Sequence, residues 1–112
     1  MFNQYSNRYF KTQNEVNQVW QDFMSKEDVY QAIERVRGSI AYMSRHAAYK
    51  LNGEDMEFME EPLARLEIGF RKVKSLPDSF KFTKDELEDI MNSYNELKAK
   101  IEKINMQRIS WN

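Results

Sequence analysis

The chain has 112 residues, with 17 Lys and Arg against 18 Asp and Glu, one His and no Cys. This length suits a single domain, and 41% hydrophobic with 31% charged residues is too apolar for a disordered chain. The absence of cysteine excludes disulfides, thiol catalysis and thiolate metal sites, and the formal net charge of -1 gives no general attraction to a polyanion or a membrane surface.

Residues 1–11 form an aromatic N-terminal segment. Phe2, Tyr5, Tyr9 and Phe10 alternate with polar and basic residues, and the steps of three and four between the first three aromatics permit one or two helical turns. Two interpretations remain open. The aromatic side packs onto the rest of the chain or onto a dimer partner, or it inserts into the groove of another protein.

Two helices are predicted in the first half of the chain. Thr12 and Glu15 have the spacing of a capping box, and the helix that follows, about 13–24, has one apolar side formed by Val16, Val19, Trp20, Phe23 and Met24.

Ser25 offers a second cap, and a long helix at about 26–51 follows it. Asn52 and Gly53 then predict its end, because both residue types accept the left-handed conformation. Its apolar stripe comprises Val29, Ile33, Val36, Ile40, Met43, Ala47 and Leu51.

Two further helices are predicted in the second half of the chain. Five acidic residues lie within 54–61, where we expect a short acidic turn or helix and then a bend at Pro62. A third helix covers about 61–75 and ends before Pro77. Its apolar stripe comprises Leu63, Leu66, Phe70 and Val73.

After a loop, Thr83 and Glu86 form another capping box, which starts a fourth helix at about 84–107. Its apolar stripe comprises Leu87, Ile90, Met91, Tyr94, Leu97, Ile101 and Ile104.

The predicted fold is all-α, a small antiparallel helical bundle of three long helices plus a short N-terminal helix in one domain, 1–112. Only five residues are Gly or Pro, too few for the turns of a sheet protein. The long helices must bury their stripes against each other. Because helices of this length in a short chain leave flanks exposed, we also expect a homodimer.

No motif for catalysis or nucleotide binding is present, and we expect no enzyme activity and no cofactor. His46 is the only histidine and lacks a Glu three positions before it, so a metal centre is not expected. No stretch reaches the roughly 18 to 20 apolar residues of a membrane span. The first residues do not resemble a signal peptide, so the predicted location is cytoplasmic.

The second predicted helix has an outer face that suits a partner protein. Tyrosine, arginine and histidine side chains supply rigid area, bidentate donors and stacking surface, the composition enriched at interface centres. Packing of these rings within the fold is the competing interpretation. The residues on this face are Arg35, Tyr42, Arg45, His46 and Tyr49.

Nucleic-acid binding is the alternative function. Phosphate contacts need clustered cations, and nearby tyrosines can stack on unpaired bases. The second half of the chain nevertheless has more acidic than basic residues, which opposes binding of a polyanion. Tyrosine and arginine residues of the second helix, Arg35, Arg37 and Arg45 among them, would add to this surface. The basic stretch itself comprises Arg65, Arg71, Lys72, Lys74, Lys81 and Lys84.

The sequence therefore predicts a small regulatory protein of the adaptor or inhibitor type, without enzymatic activity. It would bind another protein and associate with itself. The partner surface comprises the outer face of the second helix and the aromatic segment with Phe2, Tyr5, Tyr9 and Phe10.

Overall fold

A computed structural model describes residues 4–45 and 53–110, with side chains described for 5–45 and 58–106. All the secondary structure in these ranges is helical, so the predicted all-α class is confirmed. The helices in chain order are α1 (Gln4–Tyr9), α2 (Gln13–Asp22), α3 (Lys26–Arg45), α4 (Gly53–Ser75), α5 (Pro77–Phe80) and α6 (Lys84–Ser110).

Two helix starts, those of α2 and α6, are fixed by local hydrogen bonds at the predicted cap residues. The Glu15 amide donates to Thr12 Oγ1 at 3.2 Å and starts α2. At α6 the capping is mutual: the Glu86 amide donates to Thr83 Oγ1 at 3.1 Å, and the Thr83 amide donates to the Glu86 carboxylate at 2.9 Å. These side chains satisfy amides that have no partner within the helix.

The end of α2 differs from the prediction. The helix ends at Asp22 instead of residue 24, because Phe23 adopts an extended backbone. Asp28 accepts hydrogen bonds from the amides of Met24 and Ser25, both at 2.9 Å, and so fixes the turn into α3. Met24, which the periodicity placed on the buried side, is 77% exposed.

The apolar stripe of α3 is buried as predicted at five positions, Val29, Ile33, Val36, Ile40 and Met43. The structure describes this helix as far as Arg45, and the predicted continuation over 46–51 lies outside the described residues. Gly53, predicted to help end this helix, is instead the first residue of α4.

The prediction of a separate acidic turn or helix and a bend at Pro62 was wrong, because this region is a single helix, α4. It runs without interruption from Gly53 to Ser75, with Pro62 inside it. Proline removes one amide donor, the one that would bond the carbonyl of Phe58. The neighbours on both sides favour helix, with Met59, Glu60 and Glu61 before it and Leu63 and Ala64 after it.

This helix is the centre of the fold. It contacts α1, α2, α3, α5 and α6, and from residue 62 to 70 all of its side chains except Arg65 are buried. A helix surrounded on all sides buries more than one stripe. The predicted stripe of Leu63, Leu66 and Phe70 is therefore only part of its buried surface.

The connection between α4 and α6 was predicted as a loop and contains the single helical turn α5. Phe80 of this turn is buried, and Lys81 adopts the left-handed conformation at its end, with φ 56°. The last helix continues to Ser110, slightly beyond the predicted residue 107. Its buried side follows the predicted stripe at Ile90, Tyr94, Leu97, Ile101 and Ile104.

Candidate functional site

Tyr42 lies on the outer side of α3, as predicted, and half of its surface is accessible. The ring is 50% exposed and lies against the ring of Phe58 of α4, which is 53% exposed, with 5.5 Å between ring centroids. Two large aromatic rings from different helices therefore form one exposed patch. Phe58 was not among the predicted site residues; it lies within a strongly acidic segment.

A groove of about 610 Å³ lies beside this pair, between α1, α3 and α4. Tyr9 from the N-terminal segment and Arg35 from the predicted face of α3 both line it. The N-terminal segment and the outer face of α3, which were predicted as two separate patches, therefore meet at one groove. We call the lining residues together with Tyr42 the aromatic groove; the lining residues are Tyr9, Arg35, Gly38, Ser39, Phe58, Glu61 and Pro62.

Gly38 lines the aromatic groove. A Cβ atom added at this position would meet no other atom within 4 Å. The space beside Gly38 is therefore open.

Ion pairs fix the helices that form the walls of the groove. Arg35 Nη2 lies 3.0 Å from Glu61 Oε2, and the other oxygen of Glu61 accepts from Arg65 at 3.3 Å. Arg65 in turn contacts Asp22 of α2 at 2.9 Å. Arg8 of α1 pairs with Glu60 of α4 at 3.1 Å. The groove thus contains both signs of charge, already neutralised by pairing within the fold.

Tyr5 and Phe10 do not belong to a binding surface. Both side chains are buried in the core, which corrects their assignment to the partner-binding patch. Their apolar area is covered when α1 packs on α4, the first of the two interpretations of the N-terminal segment. Arg45 is exposed at the end of α3, whereas Phe2, His46 and Tyr49 lie outside the residues whose side chains are described.

A buried polar cluster beneath α1 was not predicted. Glu67 of α4 is fully buried and accepts hydrogen bonds from the amides of Tyr5 and Ser6, at 2.9 and 2.7 Å. Its second oxygen accepts from the Tyr94 hydroxyl at 2.7 Å. One carboxyl group thus joins α1, α4 and α6.

The sequence did carry a signal for this cluster. Glu67 is four residues after Leu63 and three before Phe70, so a charged residue interrupts the apolar stripe. Burial of a carboxyl is favourable only when its oxygens have partners. The donors that satisfy it could not be deduced from its position alone.

Both phenols of this cluster are held in the protonated form. Burial, reinforced by the Glu102 carboxylate, raises the pKa of Tyr5 to about 12. Burial and the hydrogen bond to Glu67 raise the pKa of Tyr94 well above its ordinary value. The Tyr94 hydroxyl therefore remains a donor across the physiological range, consistent with a structural role.

Several cations of the basic stretch considered for nucleic acid contact other groups of the fold. Arg65 pairs with Asp22 and Glu61. Arg71 donates to Ser6 Oγ at 3.2 Å. Lys72 donates to the carbonyls of Trp20 and Phe23 at the end of α2.

The other three cations of the stretch are exposed at separate places: Lys74 near the end of α4, Lys81 after α5 and Lys84 at the start of α6. No three His, Asp or Glu side chains in the described ranges come together as a metal site. Among the helices described, none combines the length and apolar character needed to cross a bilayer.

Comparison of the chain with protein-family models, curated proteins and solved structures finds no match.

Proposed function

We propose that this protein is a non-enzymatic interaction module that binds protein through the aromatic groove. The observation that carries the proposal is the exposed ring pair of Tyr42 and Phe58 beside an open groove. Aromatic residues and arginine are enriched at the energetic centres of protein interfaces. Exposure of two adjacent large rings is unfavourable unless another surface covers them.

A second copy of the chain is the proposed partner. In a two-fold symmetric dimer each patch meets an identical patch, so a surface of one charge would repel itself. The aromatic groove avoids this repulsion because Arg35 and Glu61 neutralise each other within one protomer. Aromatic rings, in contrast, pack favourably against identical rings.

Light scattering across a concentration series tests the proposal. Wild type should shift from monomer to dimer, and Tyr42→Ala and Phe58→Ala should each weaken the association about tenfold or more. Tyr30→Ala is the matched control, because Tyr30 is another partly exposed tyrosine of α3 whose ring contacts Phe82, outside the groove. The Tyr30→Ala variant should dimerise with the same affinity as wild type.

Two results would count against the proposal. A wild-type protein that stays monomeric at every concentration would refute self-association. Equal weakening by Tyr30→Ala and Tyr42→Ala would refute the assignment of the groove. Circular dichroism of each variant separates loss of binding from loss of folding, since exposed side chains contribute little to stability.

Nucleic-acid binding through the basic stretch ranks second, because Arg65, Arg71 and Lys72 already bind groups of the protein itself. Titration with single-stranded and duplex DNA and RNA at low salt tests this alternative. Binding that weakens steeply with salt would support it.

We also propose that the three long helices α3, α4 and α6 form an antiparallel bundle. Contacts between α3 and α4, α3 and α6, and α4 and α6 support it. Distances between spin labels at the ends of these helices would test the relative directions.

A further inference from the structure

A second cleft, of about 540 Å³, lies between α3 and α6 and shares no lining residue with the aromatic groove. Ile40, Leu97 and Ile104 form its apolar floor, and the exposed residue Ala41 lies at its edge. These floor residues belong to the core stripes of their helices. Part of each side chain lines the cleft, so an apolar ligand there would pack against residues of the core.

The rim of this α3–α6 cleft is cationic. Arg37, Lys100 and Lys103 line it, and among the described residues no acidic side chain does. A ligand that covers the apolar floor would therefore place its flanks beside three cations. Charge complementarity favours an anionic ligand, and the rim would repel a ligand with cationic flanks.

Two of the rim cations already have partners, but only weakly bound ones. Arg37 pairs with Glu34 and Lys100 pairs with Glu96, each within one turn of its own helix. Arg37 also donates to Ser93 Oγ of α6 at 3.3 Å, an exposed hydrogen bond. Exposed pairs of this kind contribute little to stability and exchange readily. Both cations can therefore turn toward carboxylates on a ligand without unfolding any part of the molecule.

The shape of the cleft favours a helix over a small molecule. Small-molecule sites enclose most of the ligand surface, whereas the residues that line this cleft all belong to two helices, α3 and α6. A helix lying between two others presents apolar residues at i, i+3, i+4 and i+7 to the floor and leaves its flanks at the rim.

We propose that the α3–α6 cleft binds an amphipathic helix of another protein, with acidic residues flanking its apolar stripe. This inference rests on the proposed function as an interaction module and does not depend on the aromatic groove. The two cationic sides of the cleft select the acidic flanks, and the apolar floor receives the apolar stripe of the bound helix.

A designed peptide tests the inference. The probe is a helical peptide with leucine at the i, i+3, i+4 and i+7 positions and glutamate on both flanks. The control peptide has lysine at the same flanking positions. Fluorescence anisotropy with the full-length protein should show binding of the acidic peptide that weakens as salt increases. The lysine peptide should bind at least about tenfold more weakly.

Charge reversal locates the site. The double variant Lys100→Glu with Lys103→Glu should bind the acidic peptide about tenfold more weakly and gain affinity for the lysine peptide. The matched control, Lys11→Glu with Lys84→Glu, changes the net charge equally at exposed positions that do not line the cleft. It should bind both peptides as wild type does. The single variant Lys103→Glu repeats the test without disturbing the Lys100 pair.

The outcomes separate this inference from the proposed function. Tyr42→Ala should retain peptide binding even where it abolishes self-association. Absence of acidic-peptide binding, equal binding of both peptides, or equal loss in the Lys11 and Lys84 control would each overturn the inference. So would binding of a single-stranded oligonucleotide, but not of the peptide, with the same dependence on Lys100 and Lys103.

Discussion

At the scale of the residue, Glu67 shows how one buried polar side chain can organise a helical fold. Its carboxyl receives three hydrogen bonds from two other helices. The amides of Tyr5 and Ser6 belong to the first turn of α1, where no intrahelical acceptor exists. The Glu67 carboxyl therefore acts as the N-terminal cap of α1, although Glu67 is far from this helix in sequence.

Removal of this carboxyl should destabilise the protein strongly. In Glu67→Ala three buried donors lose their acceptor, and at about 1 to 3 kcal/mol each we expect a loss of roughly 3 kcal/mol or more. Glu67→Gln should lose less, because its carbonyl oxygen still accepts from both amides. Tyr94→Phe, which removes one donor, should fall between wild type and Glu67→Ala.

Urea unfolding of each variant measures these differences in free energy. The control is Glu88→Gln, an exposed carboxylate of α6, for which we expect a change close to zero. If Glu67→Ala were no less stable than this control, the buried cluster would have no structural role.

At the scale of the element, the glycines of α3 and α4 have opposite roles. Gly38 is exposed in α3, with open space beside it. At Gly69 of α4 an added Cβ would lie 2.5 Å from the ring of Phe23. The absence of a side chain at Gly69 lets the end of α2 pack directly on α4, whereas Gly38 lines the aromatic groove.

Alanine substitution should therefore shift stability in opposite directions at these two sites. Gly38→Ala should raise the free energy of unfolding by about 0.5 to 1 kcal/mol, because alanine favours helix. Gly69→Ala should lower it by about 1 to 3 kcal/mol, because the ring of Phe23 must move in a packed core. Thermal unfolding followed by circular dichroism measures both, and a stabilised Gly69→Ala would contradict the packing described for α2.

At the scale of the whole molecule, α4 is the helix around which the others are arranged. The N-terminal helix α1 is short, and isolated helices of its length do not persist in water. It is held by Tyr5 and Phe10 in the core and by the Glu67 carboxyl. Residues 4–10 are thus part of the folded domain and cover one side of α4.

Truncation of one core ring should demonstrate this role of α1. Tyr5→Ala is expected to cost about 3 to 5 kcal/mol, the usual range for removal of a buried aromatic ring. Tyr9→Ala, at a partly exposed position on the same helix, should cost far less. Guanidinium unfolding compares the two variants. Equal losses would mean that α1 contributes no more through its buried side than through its outer side.

The sequence alone determined the helical class, the starts of α2 and α6 and the buried stripes of α3 and α6. These features depend on residues within a few positions of each other, where caps and apolar periodicity act. The prediction was wrong at Pro62, because a single proline does not end a helix that tertiary contacts support.

Only the tertiary structure decided what the side chains of α1 contact and which surfaces remain open. The amide of Tyr5 and the carboxyl of Glu67 are 62 positions apart, and the aromatic groove draws on three helices. Local patterns carry no information about distances of this kind, because they arise from how the helices pack against α4. Tyr5 and Tyr9 illustrate the point: their local sequence signals are alike, yet one ring is core and the other lines a groove.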